Sequence, residues 1–212
     1  MLEADFGYSY RYRDVKVSTI IKQSFPASAI VGLLALSLAF GTGITLGILS
    51  STSKNKAISL ISGAASLLGV CVPNFVLGPV LIMVFAFLLE IFPPGGWGGA
   101  RHVVLPALTL SAPLIAYIAR LTRAGMLEEL QKDYVFYARA RGVPEKDIIY
   151  KHALPNAILP VVSFLGPAAA SVVTGSVVVE TIFAVPGIGI HFVNAALNRD
   201  YSLVMGTIIL YS

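Results

Sequence analysis

Charge is scarce in this sequence. Asp, Glu, Lys and Arg make up 12% of its 212 residues, and 56% of the residues are hydrophobic. A typical soluble domain is about 25% charged, so the composition excludes an ordinary soluble protein and predicts an integral membrane protein. The net charge of +4 does not indicate a nucleic-acid partner, because Lys and Arg that flank membrane spans on the cytoplasmic side account for it.

Residues for covalent, redox or metal chemistry are also few. The single cysteine, Cys71, lies in an apolar run, which excludes a disulfide framework and favours a small buried hydrophobe over a catalytic thiol. The sequence lacks the ATP-binding G-x-x-x-x-G-K-[ST] motif, H-E-x-x-H, C-x-x-C and G-x-S-x-G. His102, His152 and His191 flank different apolar runs. We therefore expect no catalytic residue, no metal site and no cofactor on this chain, and we predict that it is not an enzyme.

Long uncharged runs dominate what is present. About 20 apolar residues cross the hydrocarbon core of a bilayer as a helix. Four runs approach or exceed that length and a fifth is cut short: 27–50, 57–89, 103–119, 153–179 and 202–212. The sequence thus predicts an all-α, polytopic transmembrane helical bundle with about four complete spans and a partial one. We expect the second run to be kinked near Pro73 and the fourth to form one return span.

The regions around these runs differ in composition. Residues 1–26 are polar and aromatic and predict an outer, interfacial segment with a short helix at 18–25, followed by a transmembrane domain at 27–212. Gly43 and Gly47 form a G-x-x-x-G pattern, which serves packing inside the subunit or dimerisation. Glu180 stands at the end of the fourth run, where a carboxylate would reach water; proton coupling through it is an alternative.

One polar segment, residues 128–156, interrupts the apolar chain. Seven of the fifteen Lys and Arg residues fall between Arg120 and Lys151, which places this loop in the cytoplasm and residues 90–102 and 180–201 outside. Helix formers from Glu128 to Arg141, with Leu127, Leu130, Tyr134 and Ala138 at helical spacing, predict one helix that ends at Gly142 in a left-handed cap.

A second, shorter helix is predicted after that glycine. Pro144 stands where the helix would begin, with acidic residues in its first turn. Pro155 predicts its end and biases Leu154 away from α conformation. The segment is either an ordinary cytoplasmic loop or an ordered docking element.

Two motifs carry a family resemblance. The stretch Ala138-Arg139-Ala140-Arg141-Gly142, followed by His152 and by Leu154-Pro155, resembles the coupling loop of ABC importer membrane subunits, in the form found in the peptide and nickel branch. The general Glu-Ala-Ala pattern would fall on residues 136–138, where only Ala138 matches. The second motif, Phe183-x-x-Pro186-Gly187-x-Gly189 followed by Arg199-Asp200-Tyr201, resembles an outer signature of peptide permeases.

The resemblance implies a function and a set of partners. It implies a multi-pass subunit in a bacterial or archaeal inner membrane that lines a pathway for peptides, of the type of the first permease subunit of oligopeptide systems. Its expected partners are a homologous permease, two cytoplasmic ATPases, an outer solute-binding protein, membrane lipid and the peptide, with no nucleic acid. ATP would be bound by the ATPases, which would dock on the coupling loop through Pro144 and its helix, with Arg139 and Arg141 as contacts.

Alternatives stay open at this point. A nickel or dipeptide importer permease fits the same motifs, and an ATP-independent proton-coupled carrier belongs to a different class. The family pattern also leads us to expect that the sequence lacks a first span and the end of a last one.

Overall fold

The computed structural model describes residues 6–12, 15–53, 57, 63–64, 69, 72–173 and 176–211. Lys54, Lys56 and Cys71 lie outside these residues. Helices make up nearly all regular structure in the described part, where only an isolated bridge between Tyr8 and Lys16 has β character, so the predicted all-α class is confirmed. The helices are α1 (Val17–Thr52), α2 (Asn74–Leu81), the π-helix π1 (Ile82–Leu88), α3 (Ala100–Glu129), α4 (Asp133–Ala140), α5 (Glu145–Asp147), the π-helix π2 (Ile148–Ala153), α6 (Leu154–Ala157), α7 (Leu159–Val173), α8 (Val177–Ile182), α9 (Ile188–Leu197) and α10 (Tyr201–Tyr211).

These helices belong to two compact units. One contains Met1–Ala35, Pro73–Leu110 and Ala169–Ser212, and the other contains Leu36–Val72 and Ser111–Ala168. Two described helices, α1 and α3, are long and apolar enough to cross a membrane, and a bent pair formed by 145–157 and 159–172 is a third candidate. Much of the predicted span at 57–89 lies outside the described residues.

The first long helix begins earlier than predicted. α1 starts at Val17 and passes through Pro26, so a separate short helix at 18–25 is wrong. A proline inside a helix removes one backbone hydrogen bond, but the buried positions Ile20, Ser24, Ala27 and Val31 continue on one helical face across it. Packing of that face holds the helix together. The division of the chain at residue 26 stays a prediction.

The second predicted span is broken rather than kinked at Pro73. Pro73 is extended, with φ −62° and ψ 145°, and caps the start of α2. Its carbonyl accepts hydrogen bonds from the backbone N–H groups of Val76 and Leu77, at 2.9 and 3.0 Å. The ring fixes φ, and the missing N–H suits the residue before a helix better than its interior. The chain therefore restarts here as a new helix.

Close contact between α1 and α3 forms part of the second unit. A methyl group on Gly43 would lie 2.8 Å from Cβ of Ile118, and one on Gly47 would lie 2.9 Å from the carbonyl oxygen of Ala119. The two glycines let the helix backbones approach, and the neighbouring Ala39 and Ile118 are fully buried with Val161. The G-x-x-x-G pattern thus serves packing within the subunit.

Pro155 does not stop the helix, contrary to the prediction. Leu154 has α conformation, with φ −57° and ψ −43°, and the chain runs helically from Glu145 to Ala157 before a 50° bend. The π turn of residues 148–153 precedes Pro155, which stands at the start of α6, where a missing N–H is tolerated. Within the predicted return span at 153–179, α6 and α7 are therefore separate helices joined at an angle, and the last described residues of this range belong to α8.

Candidate functional site

The residues 128–156 fold as an ordered structure at the end of α3. Helix α3 ends at Glu129 rather than continuing to Arg141 as predicted, and Lys132 is extended before α4 begins. The Glu129 carboxylate is 7% exposed and receives two side-chain hydrogen bonds, from Lys132 Nζ at 2.6 Å and from the Tyr134 hydroxyl at 2.6 Å. Both donors follow the helix end, so their bonds draw the chain into a turn there.

The hydroxyl of Tyr134 extends this network to the other side of the loop. It lies 3.3 Å from the carbonyl oxygen of His152, and the Asn156 amide nitrogen lies 3.5 Å from it. The residues from Glu145 to Ala157 form one helical stretch, here called the loop helix. Glu129 of α3 and two residues of the loop helix, His152 and Asn156, thus meet at the phenol group of Tyr134 on α4.

Apolar contacts support this polar network. Met126, Ala153 and Ala157 are buried together, with Leu130, Ile149 and Leu154 against them. A methyl group on Gly125 would lie 2.5 Å from the carbonyl oxygen of Ala157, so only glycine permits this approach of α3 to the loop helix. The base of the loop helix therefore packs closely against α3.

Gly142 closes α4 as predicted. Its φ is +75°, and the backbone N–H groups of Gly142 and Val143 donate to the carbonyls of Arg139 and Ala138, at 3.0 and 3.1 Å. This pair of bonds is a Schellman motif. A methyl group on Gly142 would meet nothing within 4 Å, so the backbone conformation alone requires glycine.

An ion pair joins the two helices across Gly142. The Arg139 guanidinium donates to both carboxylate oxygens of Glu145, with Nη2 to Oε1 at 2.7 Å and Nε to Oε2 at 3.2 Å. The hydrogen bond to this carboxylate raises the pKa of Arg139 above its already high ordinary value. Arg139 and Arg141 are both exposed, and Arg139 is paired with Glu145 within the loop.

The exposed face of this loop carries aromatic side chains. Phe136, Tyr137 and Tyr150 are 69%, 66% and 51% exposed, while Val135 and Ile148 on the opposite faces of their helices are fully buried. Large exposed aromatic side chains are unusual on charged, water-facing loops and are enriched at protein interfaces. Of the predicted coupling residues, Ala138 and Leu154 are half-buried, and the others are exposed: Arg139, Ala140, Arg141, Gly142, Pro144, His152 and Pro155.

The second predicted motif surrounds a buried carboxylate. Glu180 is 2% exposed, so the expectation that it reaches water is wrong. Its Oε1 accepts from the Ser28 hydroxyl at 2.6 Å, and its Oε2 accepts from the backbone N–H of Gly189 at 2.8 Å. Ser28 in turn accepts from the backbone N–H of Ile188 at 2.9 Å. Glu180 and Ser28 together satisfy N–H groups at the start of α9, where the helix dipole favours a negative charge.

Gly187 and Gly189 leave the room that Glu180 occupies. A methyl group on Gly187 would overlap the carboxylate, and one on Gly189 would lie 2.8 Å from Oε2. Pro186, before them, is exposed. The Pro-Gly-x-Gly motif is thus a cradle for an acidic side chain that precedes it in the sequence.

Asp200 forms a third cluster, at the start of α10. It is fully buried and accepts hydrogen bonds from the Ser9 hydroxyl, from the backbone N–H groups of Tyr10 at 3.1 Å and Arg11 at 3.3 Å, and from that of Leu203 at 3.2 Å. Burial alone would raise the pKa of Asp200, but these hydrogen bonds outweigh it and hold the pKa below its ordinary value. The N-terminal segment is thereby fastened to α10.

Sequence reasoning missed the residues that connect these motifs. Glu129, Tyr134 and Asn156 come together although they span 28 residues of the sequence, and Ser9 bonds to Asp200, 191 positions away. Among the described residues, no group of three or more His, Cys, Asp or Glu could hold a metal ion. The clusters around Glu129, Glu180 and Asp200 therefore hold helix ends in place, which suits movement of the helices as units. They also leave exposed surfaces, which suit binding.

Comparison with known proteins shows similarity over most of the chain. Residues 43–212 match the family described as "Binding-protein-dependent transport system inner membrane component". The oligopeptide transport system permease protein OppB of Salmonella typhimurium is 44% identical over 99% of this chain and 69% of its own length. The dipeptide transport system permease protein DppB of Bacillus subtilis is 40% identical over 98% of this chain and 68% of its own length.

Solved structures support the fold. An inward-facing structure of the MetNI methionine ABC transporter contains a chain with a TM-score of 0.70 and 17% identity to this one, over 92% of this chain and 91% of that chain. An amino acid ABC transporter crystallised with histidines contains another, with a TM-score of 0.68 and 17% identity. At this identity the likeness shows the fold alone. The family match and the two relatives, at 44% and 40% identity, go further: the chain is a membrane-embedded transport component and belongs to the family of binding-protein-dependent transport system inner membrane components.

Proposed function

We propose that this chain is a membrane subunit of an ATP-driven importer and lines the pathway for peptides that an outer solute-binding protein delivers. Support comes from the names of its relatives, an oligopeptide and a dipeptide permease. The single observation that carries the ATP-driven part is the ordered loop at 128–156. A loop with its own packed base, a helix capped at Gly142 and an exposed aromatic face is built like a docking element.

The loop helix would seat in a groove of a cytoplasmic ATPase. Phe136, Tyr137 and Tyr150 are the proposed anchors, because aromatic side chains dominate the binding energy of many interfaces. Arg141 is the proposed cation for an acidic rim, since Arg139 is held by Glu145. Two such ATPases, one for this chain and one for a homologous permease, would bind the ATP, and this chain would bind no cofactor. The complex would reside in a bacterial or archaeal inner membrane.

Two other substrates stay under consideration. A dipeptide is the second candidate, because a relative with 40% identity is named a dipeptide permease. Nickel is the third and rests only on the branch of the family that the loop motif resembles. Uptake of labelled oligopeptide, dipeptide and nickel by the same reconstituted complex separates the three.

Purification of the native complex from gently solubilised membranes tests the proposal. We expect a tagged subunit to bring down a second permease and ATPases that carry the G-x-x-x-x-G-K-[ST] motif, identified by mass spectrometry. Peptide uptake into vesicles should require ATP. A subunit purified alone, together with uptake that a proton gradient drives without ATP, would favour the proton-coupled carrier instead.

Gly142 gives the corresponding prediction for the loop. Gly142→Val and Gly142→Pro should leave membrane insertion intact and reduce peptide uptake per ATP hydrolysed, because neither side chain suits φ +75° and the proline also loses the bond to Arg139. Gly99→Val is the matched control, since Gly99 has open space around it and no left-handed φ. Normal uptake by a complex that carries Gly142→Pro would contradict a docking role for the loop.

A further inference from the structure

Two sets of polar contacts join helix α4 to the loop helix. Helix α4 lies beside it with the chain reversed at Gly142, and Val135 and Ile148 are fully buried. Near one end, Arg139 of α4 pairs with Glu145 at the start of the loop helix, at 2.7 Å. Near the other, the Tyr134 hydroxyl contacts His152 and Asn156. Helix α4 is therefore fixed to the loop helix at both ends.

The same hydroxyl connects this pair of helices to the long helix α3. It donates to Oε2 of Glu129, the last residue of α3, at 2.6 Å, and the other carboxylate oxygen accepts from Lys132 at 2.6 Å. Glu129 is nearly fully buried, and a hydrogen bond to a charged acceptor is stronger than a neutral one. Glu129 is also where the α3 backbone turns away, so this contact sets the angle between α3 and the helices of the loop.

Apolar packing and the close approach at Gly125 hold α3 against the loop helix, and the hydrogen bonds of Glu129 add a preferred direction to this contact. Met126, Ala153 and Ala157 also join α3 to the loop helix, but hydrophobic contact is not directional and permits small sliding movements of packed helices. A short hydrogen bond to a buried carboxylate is directional. The polar contact is thus the part of the joint that converts a displacement of the loop helix into a rotation of α3.

We infer that Glu129 and Tyr134 are positioning residues that transmit movement of the loop helix into α3, and with it couple ATP hydrolysis to transport. This inference rests on the proposed function, since it requires an ATPase that moves the loop helix. It assigns the transmission to one hydroxyl and one carboxylate, neither of which belongs to the loop motif or to its exposed aromatic face.

The test uses the complete transporter, reconstituted in vesicles, with ATP hydrolysis and peptide uptake measured separately. Tyr134→Phe removes only the hydroxyl, and Glu129→Gln keeps the shape of the acceptor without its charge. We expect both variants to retain the ATPases and to hydrolyse ATP, with uptake per ATP reduced about three- to tenfold. Tyr117→Phe is the matched control: its ring is 44% exposed and packs on Phe164, and its ratio should stay that of the wild type.

The outcomes separate this inference from the proposed function. If the wild-type complex takes up substrate without ATP or retains no ATPase, the proposed function fails. If the wild type is ATP-driven but the two variants keep its ratio of uptake to hydrolysis, the transmission by Glu129 and Tyr134 is refuted and the proposed function stands. If neither variant assembles while Tyr117→Phe does, the joint serves folding only, and the inference is refuted as well.

Discussion

Three described residues end a helix in the left-handed region with the same pair of hydrogen bonds, and one of them is glycine. Gly142, Ala184 and Arg199 have φ of +75°, +50° and +57°. In each case the residue after it donates to a carbonyl five positions earlier: Val143 to Ala138, Val185 to Glu180 and Asp200 to Ala195. A side chain in this conformation costs about 1–2 kcal/mol. The cap at Gly142 was therefore predictable from the sequence, whereas the caps at Ala184 and Arg199 were not.

Exchanging the residue types at two of these caps should have opposite effects. Ala184→Gly should stabilise the protein by about 0.5–1 kcal/mol, because relief of the left-handed strain exceeds the entropy that glycine adds to the unfolded chain. Gly142→Ala should destabilise it by a similar amount, and solely through the backbone, since the space around Gly142 is open. The apparent melting temperature of the detergent-solubilised protein measures both. Equal shifts of the same sign would contradict the assignment of these caps.

Glu180 and the two glycines of its cradle offer a test of side-chain overlap. Gly187→Ala should cost about 1–3 kcal/mol, because the three atoms nearest to the new methyl group all belong to the Glu180 carboxyl group, while the φ of −95° itself suits any residue. In a Glu180→Ala background the same change should cost little. Gly189→Ala should remain costly in both backgrounds, because its methyl group would also lie 2.8 Å from Cα of Val177.

This cycle is read from four melting temperatures for each glycine. A coupling energy between Glu180 and position 187 that clearly exceeds the coupling at position 189 supports the cradle. Additive effects at position 187 would mean that Glu180 does not occupy the cradle in the native protein.

At the scale of an element, the start of α10 depends on one carboxylate. Asp200 satisfies the N–H of Leu203 in the first turn and those of Tyr10 and Arg11 in the N-terminal segment. Its pKa is lowered in the folded protein, so the ionised form stabilises the fold. That contribution is present above the unfolded pKa of about 3.9 and is lost as the pH falls from there through the folded pKa.

Asp200→Asn should therefore change the dependence of stability on pH. At pH 7 the variant should lose about 1–3 kcal/mol, because an amide cannot accept from all four donors and leaves buried groups without partners. Between pH 5 and pH 7 both proteins should show flat profiles for this contribution. Below about pH 4 the wild type should lose stability towards that of the variant, as measured by melting temperature in matched buffers. A constant difference down to the lowest accessible pH would refute the role of the charge.

The elements that sequence reasoning predicted correctly carry local signals. Gly142 ended α4 and Pro144 preceded a helix, and both effects follow from the backbone of a single residue. The helix end predicted at Pro155 and the separate short helix predicted before Pro26 were wrong, because the cost of a proline depends on what packs around it. A π turn precedes Pro155, and a continuous buried helix face extends across Pro26. Tyr134 carried no local signal for its contacts with His152 and Asn156, since both are remote from it in the sequence. Contacts of this kind depend on packing that the chain reaches only when folded.

At the scale of the whole molecule, the predicted placement of the loops across the membrane rests on charge alone. Seven of fifteen Lys and Arg residues fall between Arg120 and Lys151, and short basic loops stay in the cytoplasm. Four others precede Pro26, on the side that alternation assigns to the exterior. The positive charges of the loop at 128–156 agree with this rule, whereas those of the N-terminal segment disagree with it. The orientation of the chain in the membrane therefore has to be measured.

Single cysteines in a background with Cys71→Ser make that measurement. We expect Tyr137→Cys to react with a membrane-impermeant maleimide only in inside-out vesicles, and Tyr10→Cys only in right-side-out vesicles; both side chains are strongly exposed, at 66% and 73%. Neither substitution removes a side-chain hydrogen bond in the described structure, and ATP-dependent uptake by the Tyr10 variant provides the control for native assembly. Labelling of position 137 from the outside would place the loop helix out of reach of a cytoplasmic ATPase. The coupling by Glu129 and Tyr134 would then have no source of movement, and the aromatic face of the loop would need an extracytoplasmic partner instead.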